Sequence, residues 1–418
     1  MLYWLASSIY LRYLHPLRSF PGPFQASVSR DWLYRLLAGN FPEEHFAKLH
    51  KQYKTKALRI APNELHFTDI SLYHVIYSQT SPFLKYKTFY NGFMTPHTVF
   101  AEDDPNLHKK YRRMLNPFFS RTGVLKSEPI IMEKAQTLSR KILQLCPTHD
   151  IDVYDAFRAF TTEFILEFAF GRPGGLIEEM PDTFRSWFLD GLDNAGESFP
   201  IMSMRFWQRG STKPDHPIIF DSLTELKDEE KLLEAVDILI AGADTTASSL
   251  TTAIEKILGD PAIHSELTKA LDDMFPDERE FIPLRELETC EYLNACVKEA
   301  LRIGMAVPGR LPRVVPADGP PFIVDGKVVP SGIFFPKRWL GPDSKHLDHY
   351  LVTFSKGARS CIGQNLAPSE MMIVLGWLFR NFRLSLPTGF QEPKLVDRFT
   401  LQHGKPGVPI RFEPRHRG

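Results

Sequence analysis

Phe354-Ser355-Lys356-Gly357-Ala358-Arg359-Ser360-Cys361-Ile362-Gly363 is the stretch on which the reading of this 418-residue chain turns. Gly357 and Gly363 permit a tight turn and a close backbone approach. Cys361 falls where this loop meets a following helical pattern, and backbone N–H groups at a helix start are expected to lower a thiol's pKa. Lys356 and Arg359 add positive charge beside it. A thiolate held in this way suits a soft metal. With no second Cys or His nearby, it suits a metal whose other ligands come from a cofactor. Haem iron, with four macrocycle nitrogens and one axial thiolate, fits that description. A buried structural Cys beside a turn is the alternative.

Upstream, Ala241-Gly242-Ala243-Asp244-Thr245-Thr246 interrupts a long helical pattern. Small residues there would let something large lie against the helix. Gly242 costs about 1 kcal/mol in a helix interior, so it needs a reason. Asp244 and Thr245 put an acid and a hydroxyl into a mostly apolar helix. A Thr hydroxyl bonding back to the preceding turn would open a groove for water or dioxygen. Helix packing through small residues is the alternative. In Glu299-Ala300-Leu301-Arg302 the i,i+3 spacing puts both charges on one face, and Arg338 follows in Phe335-Pro336-Lys337-Arg338-Trp339. A Glu shared by two Arg would be a buried lock, whereas a surface pair would contribute little. His108 and Arg112 share a face at i,i+4, and with Arg313 they could bind carboxylates or simply be solvated.

Composition sets the limits. Lys plus Arg and Asp plus Glu number 50 each, so a general nucleic-acid binder, which needs a basic surplus, is excluded. The 32 Phe suit a core with wide aromatic surfaces for apolar or flat ligands. Four Cys, at 146, 290, 296 and 361, are too few and scattered for a disulfide framework. Helices are expected at 108–115, stopped by Asn116-Pro117, and at 130–145, 153–170, 226–258, 287–303 and 371–382. Short strands are expected at 314–315, 322–324 and 328–329. The class is mainly α with a minor β part. No linker divides the chain, so residues 20–418 read as one domain. Leu2 to Leu11 is an apolar rod too short for the roughly 30 Å bilayer core, and Phe20-Pro21-Gly22-Pro23 forms a stiff hinge behind it. Residues 1–19 thus read as a short anchor or membrane-surface segment, the alternative being a helix docked on its own domain.

Together these features resemble the cytochrome P-450 family of haem-thiolate monooxygenases, from Phe20 onward. The resemblance implies the single-domain fold of that family and haem b (iron protoporphyrin IX) as cofactor, with Cys361 as axial ligand. It implies Asp244 and Thr245 as the catalytic acid–alcohol pair and Glu299, Arg302 and Arg338 as a structural triad. Around the haem it implies His108, Arg112 and Arg313 at the propionates, and Phe354, Arg359 and Gly363 of the Cys loop. Dioxygen, an NADPH–cytochrome reductase, an apolar small-molecule substrate and a membrane surface are the implied partners, and the cytosolic face of the endoplasmic reticulum the implied location. Asn116-Pro117-Phe118-Phe119 and Gly309-Arg310-Leu311-Pro312-Arg313-Val314-Val315-Pro316 look like filamentous-fungal members of the trichodiene-oxygenase type. That likeness implies hydroxylation or epoxidation of a terpenoid or polyketide intermediate of secondary metabolism.

The chain departs from this pattern in two places. Between Pro200 and Asp215 the two helices that roof the substrate site in the family are reduced to a brief polar stretch, and Gly332 runs almost straight into Phe335. Pro368 is expected one to two turns into the helix after Cys361, at a cost of about 3 kcal/mol unless the helix kinks. A truncated, non-catalytic haem-binding remnant or a misassembled gene product is the rival reading.

Overall fold

The computed structural model describes residues 2–38, 42–81, 83–93, 95–193, 216–276, 282–308, 311, 313–314, 348, 351–398 and 400–415. Helices dominate. The ones that position the site are α1 (Leu2–Ile9), α2 (Pro105–Phe119), α3 (Arg121–Leu145), α4 (Val153–Phe170), α5 (Trp187–Asp193), α6 (Asp228–Leu258), α7 (Glu291–Gly304) and α8 (Leu366–Asn381). The strands form small antiparallel sheets. β1 (Ala57–Ala61) pairs with β2 (Glu64–Phe67), β3 (Leu84–Lys85) with β5 (Arg313–Val314), and β7 (Leu395–Arg398) with β8 (Thr400–His403). β4 (Ile151–Asp152), β9 (Pro409–Pro414) and β6 (Phe382–Ser385) make a three-stranded sheet with β9 in the centre. The mainly α, minor β expectation is met.

The core lies between α4 and α6. Phe157, Phe160 and Phe164 of α4 and Ala247, Leu250 and Ile254 of α6 are at most 1% exposed. α4 has the expected limits because both ends carry strong local signals. Asp152 accepts from Tyr154 N–H at its start, and Gly171, at φ 67°, takes the left-handed turn at its end. α3 begins at Arg121, nine residues earlier than periodicity suggested, because the Ser120 hydroxyl caps it by accepting from Gly123 N–H.

Two proline expectations are corrected. Pro117 does not stop α2, which runs on to Phe119. The carbonyl of Pro117 accepts from Ser120 Oγ at 2.8 Å, and Phe119 is buried with its ring 5.6 Å from that of Phe168. Packing at the helix end outweighs one lost bond. Pro368 does not cost the expected energy either. α8 begins only at Leu366, so Pro368 occupies its first turn, where an N–H has no intrahelical acceptor.

At the N-terminal end, α1 continues through a π turn over Tyr10–Leu14. Trp4, Leu5, Tyr13 and Leu14 are exposed, while the buried Arg59 of β1 donates from Nη1 to Leu11 O at 3.1 Å. No described helix is long and apolar enough to cross a membrane. The expected strands at 322–324 and 328–329 and both shortened stretches, 200–215 and 332–335, lie outside the described residues.

Candidate active site

The Cys361 loop is pinned at several points. Gly357 sits at φ 74°, and a Cβ there would come within 2.4 Å of the Tyr77 and Ser78 carbonyl oxygens, so only glycine fits. Cys361 N–H donates to Phe354 O at 2.8 Å, and Phe354 packs on the main core. Arg112 of α2 donates from Nη1 to Ser360 O. Arg359 reaches the other way, donating from Nη1 to Glu102 O at 2.8 Å. Asn365 Nδ2 donates to Phe119 O at 3.0 Å, and Thr353 Oγ1 to Leu301 O of α7 at 2.8 Å. α2 and α7 therefore clamp the loop from two directions.

Cys361 is exposed, yet desolvation by the protein atoms around it pushes its thiol pKa up. The N–H of Gly363 and the Arg112 guanidinium pull the pKa down but do not prevail. This corrects the expected net lowering: the helix proper starts five residues later, and only one N–H turns toward the sulfur. A Cβ on Gly363 would lie 3.7 Å from Cys361 Sγ, so the glycine keeps the side of the sulfur clear.

α6 supplies the second element. It is regular throughout, so the expected local opening is absent. Thr245 Oγ1 does bond back to Ala241 O, at 2.7 Å. Gly242 has a packing reason: a Cβ there would lie 2.8 Å from Ile165 Cγ1 of α4. The small-residue stretch is thus helix packing at 242. At 241 and 245 it is an open face, since Ala241 is exposed and Thr245 half-exposed within a largely buried helix. Asp244 points elsewhere. It is buried and accepts from Arg158 Nε at 2.8 Å; Arg158 is fully buried, and its Nη2 lies 2.9 Å from Asp193 Oδ1. Burial disfavours the guanidinium charge, but Asp244, Tyr154 and Asp193 outweigh it and raise the pKa. Arg158 escaped sequence reading because its partner sits 86 residues away.

Glu299 is fully buried and takes a bidentate pair of bonds from Arg302, Nε–Oε2 at 2.8 Å and Nη2–Oε1 at 2.9 Å. Arg338 lies outside the described residues. His108 is buried one turn before Arg112 on the same face of α2. Arg313 lies in β5, paired across to Lys85. The structure therefore brings Arg112, Phe354, Arg359, Cys361 and Gly363 together, with His108 one turn away.

These residues suit haem. Among the described residues no group of three or more His, Cys, Asp or Glu stands ready to hold an ion. A single cysteine in a glycine-flanked, clamped loop suits a metal whose other ligands arrive with a macrocycle.

Comparison with known proteins gives the same answer. The Cytochrome P450 family model matches residues 32–216, 218–334 and 332–410. Cytochrome P450 monooxygenase aneF of Aspergillus aculeatus is 29% identical, with 90% of each chain covered. Cytochrome P450 monooxygenase cloA of Claviceps purpurea is 28% identical over 94% of this chain and 90% of its own. The cytochrome P450DA haem domain superposes with a TM-score of 0.73 over 95% of this chain and 97% of that one, at 18% identity. The alignment to aneF spans 449 positions but takes in 90% of 418 residues, about 376, so about 70 positions lack a counterpart here. The joints of the family match, 216/218 and 334/332, fall beside the two stretches where the chain reads as short.

Proposed function

This chain belongs to the cytochrome P450 family, and on that premise we propose how its residues divide the work of a haem-thiolate monooxygenase. The observation that carries the reading is the clamped Cys361 loop with its exposed thiol. Cys361 would hold the iron, Phe354, Gly363, Arg359 and Arg112 would form the surrounding cradle, and His108, Arg112 and Arg313 would pair with the propionates. When bound, haem b supplies dioxygen activation and the transfer of one oxygen atom to an apolar substrate, drawing electrons from NADPH through a separate reductase.

The chain's own residues do the rest. The open face at Ala241 and Thr245 would leave room for the cofactor and its substrate. Thr245 would orient a water through its hydroxyl, and Asp244 would relay protons toward it only after its carboxylate swings away from Arg158, which holds it in the structure. Glu299 and Arg302 hold the fold beneath, and we assign Arg338 to the same lock. The curated relatives named above are fungal monooxygenases. That kinship supports a terpenoid or polyketide intermediate of secondary metabolism as substrate, and the cytosolic face of the endoplasmic reticulum as location. The exposed Trp4, Leu5, Tyr13 and Leu14 would meet the membrane surface. Residues 1–19 would then act as the anchor segment and 20–418 as the catalytic domain.

The deciding experiment is a carbon monoxide difference spectrum. Cys361→Ala is expected to lose the thiolate-type band, while Cys146→Ala, Cys290→Ala and Cys296→Ala keep it. A normal band from Cys361→Ala would remove the main support of this reading.

A further inference from the structure

The N-terminal part of the chain carries a small core of its own. Leu33, Phe46, Leu49, Leu58, Ile60 and Ala61 are buried together, apart from the main core. They come from the helices Asp31–Ala38 and Pro42–Tyr53 and from β1. A core of this size opens at lower cost than a large one. Two ionisable rings that the monooxygenase chemistry does not use sit against it. His50, in the last turn of the helix Pro42–Tyr53, is 6% exposed. Its Nδ1 lies 2.7 Å from Thr55 O, and its Nε2 2.9 Å from Nδ1 of His66. His66 is half-buried on β2, opposite Leu58 of β1, with its ring centre 4.8 Å from that of Phe46. β1 also seats the N-terminal segment. Arg59 donates from Nη1 to Leu11 O at 3.1 Å, and from its N–H to Pro21 O at 2.8 Å.

We propose that the His50–His66 pair is a latch that holds this small core closed at neutral pH and releases it in acid, together with the N-terminal segment seated on β1. A carbonyl only accepts, so His50 Nδ1 carries a hydrogen. In the neutral pair His50 Nε2 therefore accepts from His66 Nδ1–H. A first added proton puts an imidazolium beside Phe46 and Leu58. A second puts cations into rings whose centres are 5.1 Å apart. The neighbouring charges are engaged elsewhere or exposed. Arg59 is held by Pro62 O and Leu11 O, Glu64 pairs with Arg30, and Lys56 lies 3.8 Å from Asp69. Asp31, Arg35, Lys51 and Lys54 are exposed. Glu43 stands two turns before His50, about 10 Å along their helix. Burial lowers the pKa of both rings. His50 adds to the fall at His66, which reaches about 4, and only the Thr55 carbonyl, at His50, pulls upward. Opening returns both rings to water, where histidine takes up a proton near pH 6.5. The latch is thus at full strength above that pH, and its hold is lost as pH falls from there toward the folded value.

The test is hydrogen–deuterium exchange of the full-chain holoprotein at about pH 7.5, 6.5 and 5.5, corrected for the intrinsic exchange rate at each pH, with α4 of the main core as reference in the same sample. Across this range one depressed histidine moves an opening equilibrium about tenfold. Peptides from 42–67 are therefore expected to lose about tenfold or more of their protection relative to α4. Peptides from 11–22 are expected to lose protection with them. Carboxylates are already ionised over this range, so they do not give that response. A constant ratio between the small core and α4 would overturn the proposal, and protection kept at 11–22 would overturn the release of the N-terminal segment. The double variant His50→Gln with His66→Gln keeps an amide donor and acceptor at each position but does not titrate. It is expected to hold the ratio constant, and a loss equal to the parent's would overturn the latch. His66→Gln alone leaves one titrating ring and is expected to lose less protection than the parent; an equal loss would again overturn it. Exchange does not read the iron, so this proposal and the monooxygenase reading stand or fall separately.

Discussion

Arg158 and Asp244 form a buried ion pair, Nε to Oδ1 at 2.8 Å, between the two helices that make the core. The same guanidinium reaches Asp193 at the end of α5. One arginine thus holds two acids, one on the long helix and one at the margin of the undescribed stretch that follows. Arg158→Met would strand the buried Asp244, while Asp193 keeps Arg185 as a partner, and is expected to destabilise the protein by about 3–5 kcal/mol. Urea unfolding at neutral pH measures it. Stability equal to the parent's would show that water replaces the guanidinium without cost.

The Thr245 hydroxyl donates back into its own helix, to Ala241 O, so its removal should leave the fold intact. Thr245→Ala is expected to keep the carbon monoxide band but divert NADPH-derived electrons to peroxide, with product per NADPH falling severalfold. The buried Thr246, changed to Ala, is the control. Unchanged coupling in Thr245→Ala would exclude the water-orienting role.

Glu299 has no exposure, whereas the Arg302 side chain is 26% exposed. Glu299→Gln therefore leaves a guanidinium that solvent partly screens, which puts the loss near the lower end of about 3–5 kcal/mol. That is a large share of a typical stability of about 5–15 kcal/mol. Little soluble holoprotein is expected, and the haem yield per cell mass reads it. A parental yield would show that the pair contributes nothing net.

Lys109 and Arg113 stand exposed one turn apart on the outer side of α2, the helix that clamps the Cys loop. Lys110 is paired with Glu225 at 3.1 Å, and Arg359 is occupied by backbone carbonyls, so the patch for an acidic reductase centres on Lys109 and Arg113. The first-electron rate is expected to fall with salt, over a Debye length of about 10 Å at 0.1 M, and to fall again in Lys109→Glu. A rate indifferent to both would place the reductase elsewhere.

The core helices and the Cys loop were legible because their signals are local. α4 ends where Asp152 and Gly171 say it should, and Gly357 stands where the backbone allows no side chain. The prolines misled because their cost depends on where a helix begins, which packing decides. Pro368 costs nothing in a first turn, and Pro117 survives because Phe119 is buried. Arg158 escaped notice for another reason. It matters through a partner 86 residues along the chain, and no spacing rule reaches that distance. β1, β2 and β6 to β9 were too short to stand out from their surroundings.

The clamp on the Cys loop has an architectural consequence. Its fastenings run to α2 and α7, through Arg112, Asn365 and Thr353. Three segments far apart in sequence therefore share the work of giving the loop its shape. A graft of the Cys loop alone would leave its seat behind.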